Sequence, residues 1–193
     1  MRKYSMIGGV LGGGALLLTV GLSPAMADNL DGSGVDGGSL SKTTTGATMS
    51  DLTLDGSNTQ TSNGTSSSEW ELIDPRGTGA AWTLSATASA WTSAAGDVEA
   101  EARTIAVGNL TIDPGAVTAG SGSDPVTNIT ADALVMDGTE QALVTSSGTN
   151  KGTYTLTPTF SLAIPANSFR SNHTVGTEGA LNPYTATVTY TFG

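Results

Sequence analysis

The chain has 193 residues, a formal net charge of −10, only 12% charged residues and no cysteine. The acid excess repels a phosphate backbone and argues against nucleic acid as a partner. The missing thiols exclude a disulfide framework, a thiol nucleophile and an N-terminal lipoprotein anchor, and a single histidine is a poor start for a zinc or iron site.

Arg2 and Lys3 precede an apolar run from Met6 to Leu22 and then Ser23-Pro24-Ala25-Met26-Ala27. That order is a secretory signal peptide over residues 1–27 with an Ala-x-Ala cleavage site. A membrane anchor needs about 20 predominantly apolar residues, and Gly8, Gly9, Gly12, Gly13 and Gly14 break this run up. Cleavage leaves residues 28–193, in which five basic side chains face all seventeen acids for a net charge of −12. No second apolar segment and no sortase-type tail follow, so the exported chain is expected to be soluble or held at a surface without a covalent bond. An exported domain of this size without cysteine points to a bacterium, and the absence of a lipid anchor suits a Gram-positive wall.

Residues 28–50 carry Asp31 to Gly38, rich in aspartate and glycine, and the run Thr43-Thr44-Thr45. They hold too few large apolar groups to offset the entropy of ordering, so a flexible leader is expected here. The aspartate spacing fails the pattern of an EF-hand loop. The folded domain is expected over residues 51–193.

From Leu52 onward, strands alternate with turn residues. Glu69 to Ile73 reads as a strand closed by Asp74-Pro75-Arg76-Gly77. Ala81 to Trp91 reads as a second, with Trp82, Leu84, Ala86, Ala88 and Ala90 on one face and Thr83, Ser85, Thr87 and Ser89 on the other. Alanines beside Trp82 leave room for a neighbouring aromatic, for which Tyr154 and Tyr190 are the candidates. Arg103–Thr111, Ala133–Met136 and Ala142–Thr145 are shorter strands. Tyr154, Leu156, Phe160, Leu162 and Ile164 share one parity across residues 153–164, with Pro158 marking an edge or a bulge. Residues 166–182 read as a loop. In the last segment Tyr184, Ala186, Val188, Tyr190 and Phe192 alternate with Thr185, Thr187, Thr189 and Thr191, the period of a half-buried strand. No segment sustains helical spacing, so an all-β protein is expected: an antiparallel β-sandwich, Ig-like or similar, of six to nine short strands.

Two of these segments carry a family resemblance. Trp82-Thr83-Leu84, reached through the glycine-rich turn Arg76 to Ala81, is similar to the WxL tripeptide of the WxL family of bacterial cell-surface domains; Trp70-Glu71-Leu72 is a second tripeptide of the same form. Tyr184, three residues, then Val188-Thr189-Tyr190-Thr191-Phe192 resembles that family's distal motif, which runs Tyr, three residues, Leu-Thr-Trp-Thr-Leu. The resemblance spans roughly residues 52–193. It implies non-covalent attachment to the Gram-positive cell wall through peptidoglycan, or association with co-secreted surface proteins, carried by Trp82, Leu84, Tyr184, Val188, Thr189, Tyr190, Thr191 and Phe192.

Catalysis finds little footing. His173 lies in a Ser-Asn-His-Thr loop with no Gly-x-Ser-x-Gly turn in the chain. Glu69 with Glu71 and Glu99 with Glu101 share strand parity as a glycosidase pair would, but such pairs are ordinarily solvated surface. Asp97 and Glu99 are the residues from which a calcium site would be built. Trp70, Trp82, Trp91, Tyr154, Tyr184 and Tyr190 are candidates for stacking on sugar rings, or else are core. The threonine ladders at residues 153–159 and 185–191 read as a solvated sheet face. The expectation is a secreted, non-enzymatic, cofactor-free protein of the cell surface that binds wall glycan or a protein. The alternative is a structural subunit that associates with itself or a partner through its C-terminal strand.

Overall fold

A computed structural model describes residues 33–96, 100–173 and 181–193, with the side chain of His173 excepted. The expected signal peptide, Asp97, Glu99 and the His173 side chain lie outside the described residues. Contacts divide the chain into residues 1–34 and 35–193; the fold concerns the second unit.

The chain forms β1 (Ser41–Thr43), β2 (Gln60–Thr65), β3 (Trp70–Asp74), β4 (Trp82–Ala88), β5 (Trp91–Ser93), β6 (Arg103–Ile105), β7 (Leu110–Asp113) and β8 (Thr118–Ala119). It continues with β9 (Ile129–Ala131), β10 (Leu134–Val135), β11 (Gln141–Ser146), β12 (Gly152–Leu156), β13 (Thr159–Ile164), β14 (Asn172–His173), β15 (Leu181–Asn182) and β16 (Val188–Phe192). The protein is all-β, its helical content among the described residues being two single 3-10 turns at Val107–Asn109 and Val126–Asn128. All strand pairs among the described residues are antiparallel. Three sheets have four strands each, in the orders β1-β3-β12-β8, β10-β7-β13-β2 and β16-β4-β11-β9, and two ribbons pair β5 with β6 and β14 with β15. The inner faces of the three larger sheets meet in one core that includes Trp70, Leu72, Trp82, Leu84, Ile112 and Tyr154. The architecture is that of a β-sandwich, with more and shorter strands than the six to nine expected, because turns and bulges cut several runs into pieces.

Strict alternation produces the two central strands. β3 buries Trp70, Leu72 and Asp74, and β4 buries Trp82, Leu84, Ala86 and Ala88. The parity breaks after Ala88: Ser89 and Ala90 are exposed, and Trp91 turns inward to begin β5. Ala90 is therefore not on the tryptophan face. In β11 a bulge between Ala142 and Val144 lets consecutive residues, Leu143 and Val144, both enter the core. The run from Tyr154 to Ile164 holds its parity of burial through Pro158 but changes sheet there, β12 pairing with β3 and β13 with β7 and β2. Pro158 has no N–H to give, and its carbonyl accepts from Ser66. Arg103–Thr111 is likewise two strands, parted by the 3-10 turn at Val107–Asn109. The loop expected over residues 166–182 contributes β14 and β15.

The boundary expected at residue 51 falls too late. Within residues 28–50, Ser41–Thr43 pairs with Ile73–Glu71 as β1, Ala47 bridges Ser66, and the Ser50 N–H bonds to the Asn63 carbonyl. Trp70 donates its indole N–H to the Thr45 carbonyl at 2.9 Å, while Leu40, Ala47 and Met49 pack on the core. Composition pointed to a leader because the segment has few apolar groups. What orders it is backbone pairing along two sheet edges, which composition does not register.

Candidate functional site

The two parts of the motif, far apart in sequence, are neighbouring strands. β16 pairs along β4 with Val188 opposite Ala88, Tyr190 opposite Ala86 and Phe192 opposite Leu84. The small alanines leave space for the large residues of the facing strand, as their spacing in β4 indicated. Gly193 and Thr83 exchange both backbone hydrogen bonds, at 2.7 and 3.1 Å.

The inward residues form two aromatic groups, one around each tryptophan. Trp82 meets Phe192 edge-on at 5.3 Å between ring centroids and lies 5.8 Å from Tyr154. Trp70, from the facing sheet, meets Tyr190 at 4.5 Å and Phe160 at 6.4 Å. Burial pushes the Tyr190 phenol well above its ordinary pKa, so it is neutral at every physiological pH. The Trp82 indole donates to the Asn150 carbonyl at 3.2 Å. Asn150, itself buried, accepts from Ser146 and donates to the Pro125 carbonyl. These partners satisfy the polar edge of the tryptophan inside the core.

Of the eight motif residues, Trp82 and Leu84 are buried, Tyr184, Val188, Tyr190 and Phe192 are half-buried, and Thr189 and Thr191 are exposed. Tyr184 lies just before β16, where its hydroxyl donates to the Phe169 carbonyl at 3.0 Å. The aromatics considered for sugar stacking are thus mostly structural: Trp70, Trp82, Trp91 and Tyr154 are all in the core. A sugar ring cannot reach the faces of Trp70, Trp82 or Tyr154 without opening the sandwich.

What the motif strands offer to solvent is hydroxyl. Thr191 stands opposite Ser85 and Thr189 opposite Thr87, and one strand further Thr83 stands opposite Thr145, which stands opposite Thr130. Parity had put Thr83, Ser85 and Thr87 on one face of β4; their continuity with Thr130 and Thr145 depends on strand order, which no local pattern carries. Among the described residues no three carboxylates or histidines converge as metal ligands.

Two hollows flank this region. One, of about 280 Å³, runs between residues 44–49 and β16 and is floored by Trp91, Leu110 and Phe160, with no charged side chain in its lining. It falls just below the usual range for small-molecule pockets, roughly 300–1,000 Å³. The other, of about 310 Å³, is polar and includes Asn128, Thr149 and the Asp124–Lys151 ion pair at 2.6 Å. Hydrogen bonding from Lys151 lowers the Asp124 pKa, and the same bond raises that of Lys151.

No family model, no curated protein and no solved structure matches this chain.

Proposed function

We propose that the protein is an exported, non-enzymatic cell-surface module that attaches without a covalent bond to the Gram-positive cell wall, with peptidoglycan glycan as the ligand. One observation carries the reading: the two parts of a WxL-like motif lie side by side in one sheet, their aromatics locked inward and their hydroxyls outward. In this arrangement the aromatics build the platform and the threonines make the contact. A hydroxyl is donor and acceptor at once, so a row of them matches the mixed donors and acceptors of a neutral glycan. The acidic net charge favours such neutral contacts over anionic wall polymers.

Retention on washed Gram-positive cell walls tests the reading. A chain with Thr83, Thr145, Thr189 and Thr191 all changed to valine keeps its strands and loses four hydroxyls worth about 0.5–1.5 kcal/mol each. Retention should fall at least about tenfold. Equal retention of the variant and the unaltered chain would remove the hydroxyl face from consideration, and no retention of either would remove the wall.

A further inference from the structure

We propose that β16 is a docking edge for a second copy of this chain, the two β16 strands pairing antiparallel across a two-fold axis. The observation is a contrast among the outer strands of the three four-stranded sheets. Sheets protect their edges against unwanted pairing by shortness, charge or cover. β8 and β10 have two residues each; β1 has three, with Lys42 among them; β9 has three, followed by Asp132. β2 is longer, but residues 46–50 lie along it through the Ala47–Ser66 bridge and the Ser50-to-Asn63 bond. β16 has five residues, with no charge, no proline and no register shift, and among the described residues nothing pairs with its outer side.

Its hydrogen bonding shows what fits there. The bonds of Thr187 with Ser89, just past β4, and of Gly193 with Thr83 of β4, with the alternation of an antiparallel ladder, turn the backbone of the odd-numbered residues inward. The N–H and C=O groups of Val188, Tyr190 and Phe192 therefore point outward. An axis at Tyr190 sets Tyr190 against Tyr190 and Val188 against Phe192 of the second copy, and every outward donor on one strand meets an acceptor on the other. Such an isologous contact closes on itself and does not run on into fibres. The strand itself supplies the occupant that the edge calls for: extended, uncharged, and apolar on alternate residues. The uncharged hollow floored by Trp91, Leu110 and Phe160 opens beside this edge, so the second strand also covers apolar surface. No charge of either sign lies in β16 or in residues 44–49, which leaves the net −10 of each copy as a long-range repulsion that salt screens.

Sedimentation equilibrium of the chain, with and without residues 1–27, should show a dimer whose fraction grows with protein concentration and with salt. Hydrogen exchange should slow at the amides of Val188, Tyr190 and Phe192 as the dimer forms. Val188→Pro removes an outward donor without touching a bond to β4 and should weaken the dimer at least tenfold. Thr189→Lys with Thr191→Lys sets like charges opposite each other across the axis on an exposed face and should do the same in a folded monomer. A monomer at every concentration overturns the proposal, as does a dimer that both variants leave intact or that forms without protecting those amides.

Discussion

The chain contains two W-x-L tripeptides, and comparing them shows what such a motif means physically. Trp70-Glu71-Leu72 in β3 and Trp82-Thr83-Leu84 in β4 both sit in an interior strand, bury the tryptophan and the leucine, and pass the indole hydrogen to a backbone carbonyl, of Thr45 and of Asn150. Both rings meet an aromatic of β16, Tyr190 for Trp70 and Phe192 for Trp82. The tryptophan and leucine are thus equivalent core elements. The tripeptides differ at the middle residue, which faces out: Glu71 lies between Thr43 and Thr155, whereas Thr83 belongs to a hydroxyl row shared by the strands of its sheet. If one tripeptide has a surface role that the other lacks, the distinction rests on that position and its neighbours.

The comparison breaks most visibly at the rings. Trp70→Ala and Trp82→Ala should each cost about 3–5 kcal/mol in denaturant unfolding, through lost burial and the cavity left behind. A cost near zero at Trp82 would mean that its ring is not the core element seen here. These losses also make Trp82→Ala a poor probe of binding, since any loss of retention would follow from loss of the fold.

The next effect concerns the turn that joins the two strands. Asp74, buried at the end of β3, accepts from the Arg76 backbone and is paired with its guanidinium, which also reaches the carbonyls of Ala80 and Ala81 just before Trp82. Hydrogen bonding from the Arg76 side chain holds the Asp74 carboxyl below the ordinary aspartate pKa. A lowered folded pKa means that this stability is complete above the unfolded value, near pH 4, and is lost as pH falls through the folded one. Asp74→Asn should cost about 1–3 kcal/mol at neutral pH and flatten the acid limb of a stability–pH profile. An acid limb as steep as that of the unaltered chain would assign it to other carboxylates.

Smaller effects sharpen the contrast between inner and outer positions. Tyr154→Phe removes the hydroxyl that lies 3.1 Å from the carbonyls of both Asp124 and Lys151 and should cost about 0.5–1.5 kcal/mol, read from the unfolding midpoint. Thr83→Val, on the outer face, should move stability by less than about 0.5 kcal/mol, and so should Glu71→Thr. A large loss at Thr83 would show that the middle position is also structural and would erase the difference between the tripeptides.

Most of the inner face was legible in the sequence because a strand's period of two needs no knowledge of its neighbours. Trp82 with Leu84, and Tyr154 with Leu156, are buried as their alternation required, and Ala86 of β4 stands opposite Tyr190. The pattern failed where a residue answers to something outside its strand. Ala90 followed the parity of β4 on paper, but the chain bends after Ala88 so that Trp91 can reach the core; Leu143 and Val144 share the interior through a bulge; and residues 41–50 are ordered by edges they contribute little apolar surface to. The site shows the same division. Thr189 and Thr191 were named and are exposed, whereas Thr130 and Thr145 became relevant only through strand order.

By itself the sequence determined the class of structure and the direction in which most of its residues face, because hydrophobic alternation and turn residues act within a few positions along the chain. The tertiary structure alone decided which strands are neighbours. That brought Trp82 beside Phe192 and Trp70 against Tyr190, joined the threonines of four strands into one face, and set β16 at the end of its sheet. Pairing between distant segments is set by the fit of whole sheets around a shared core, and that fit is a property of the assembled chain.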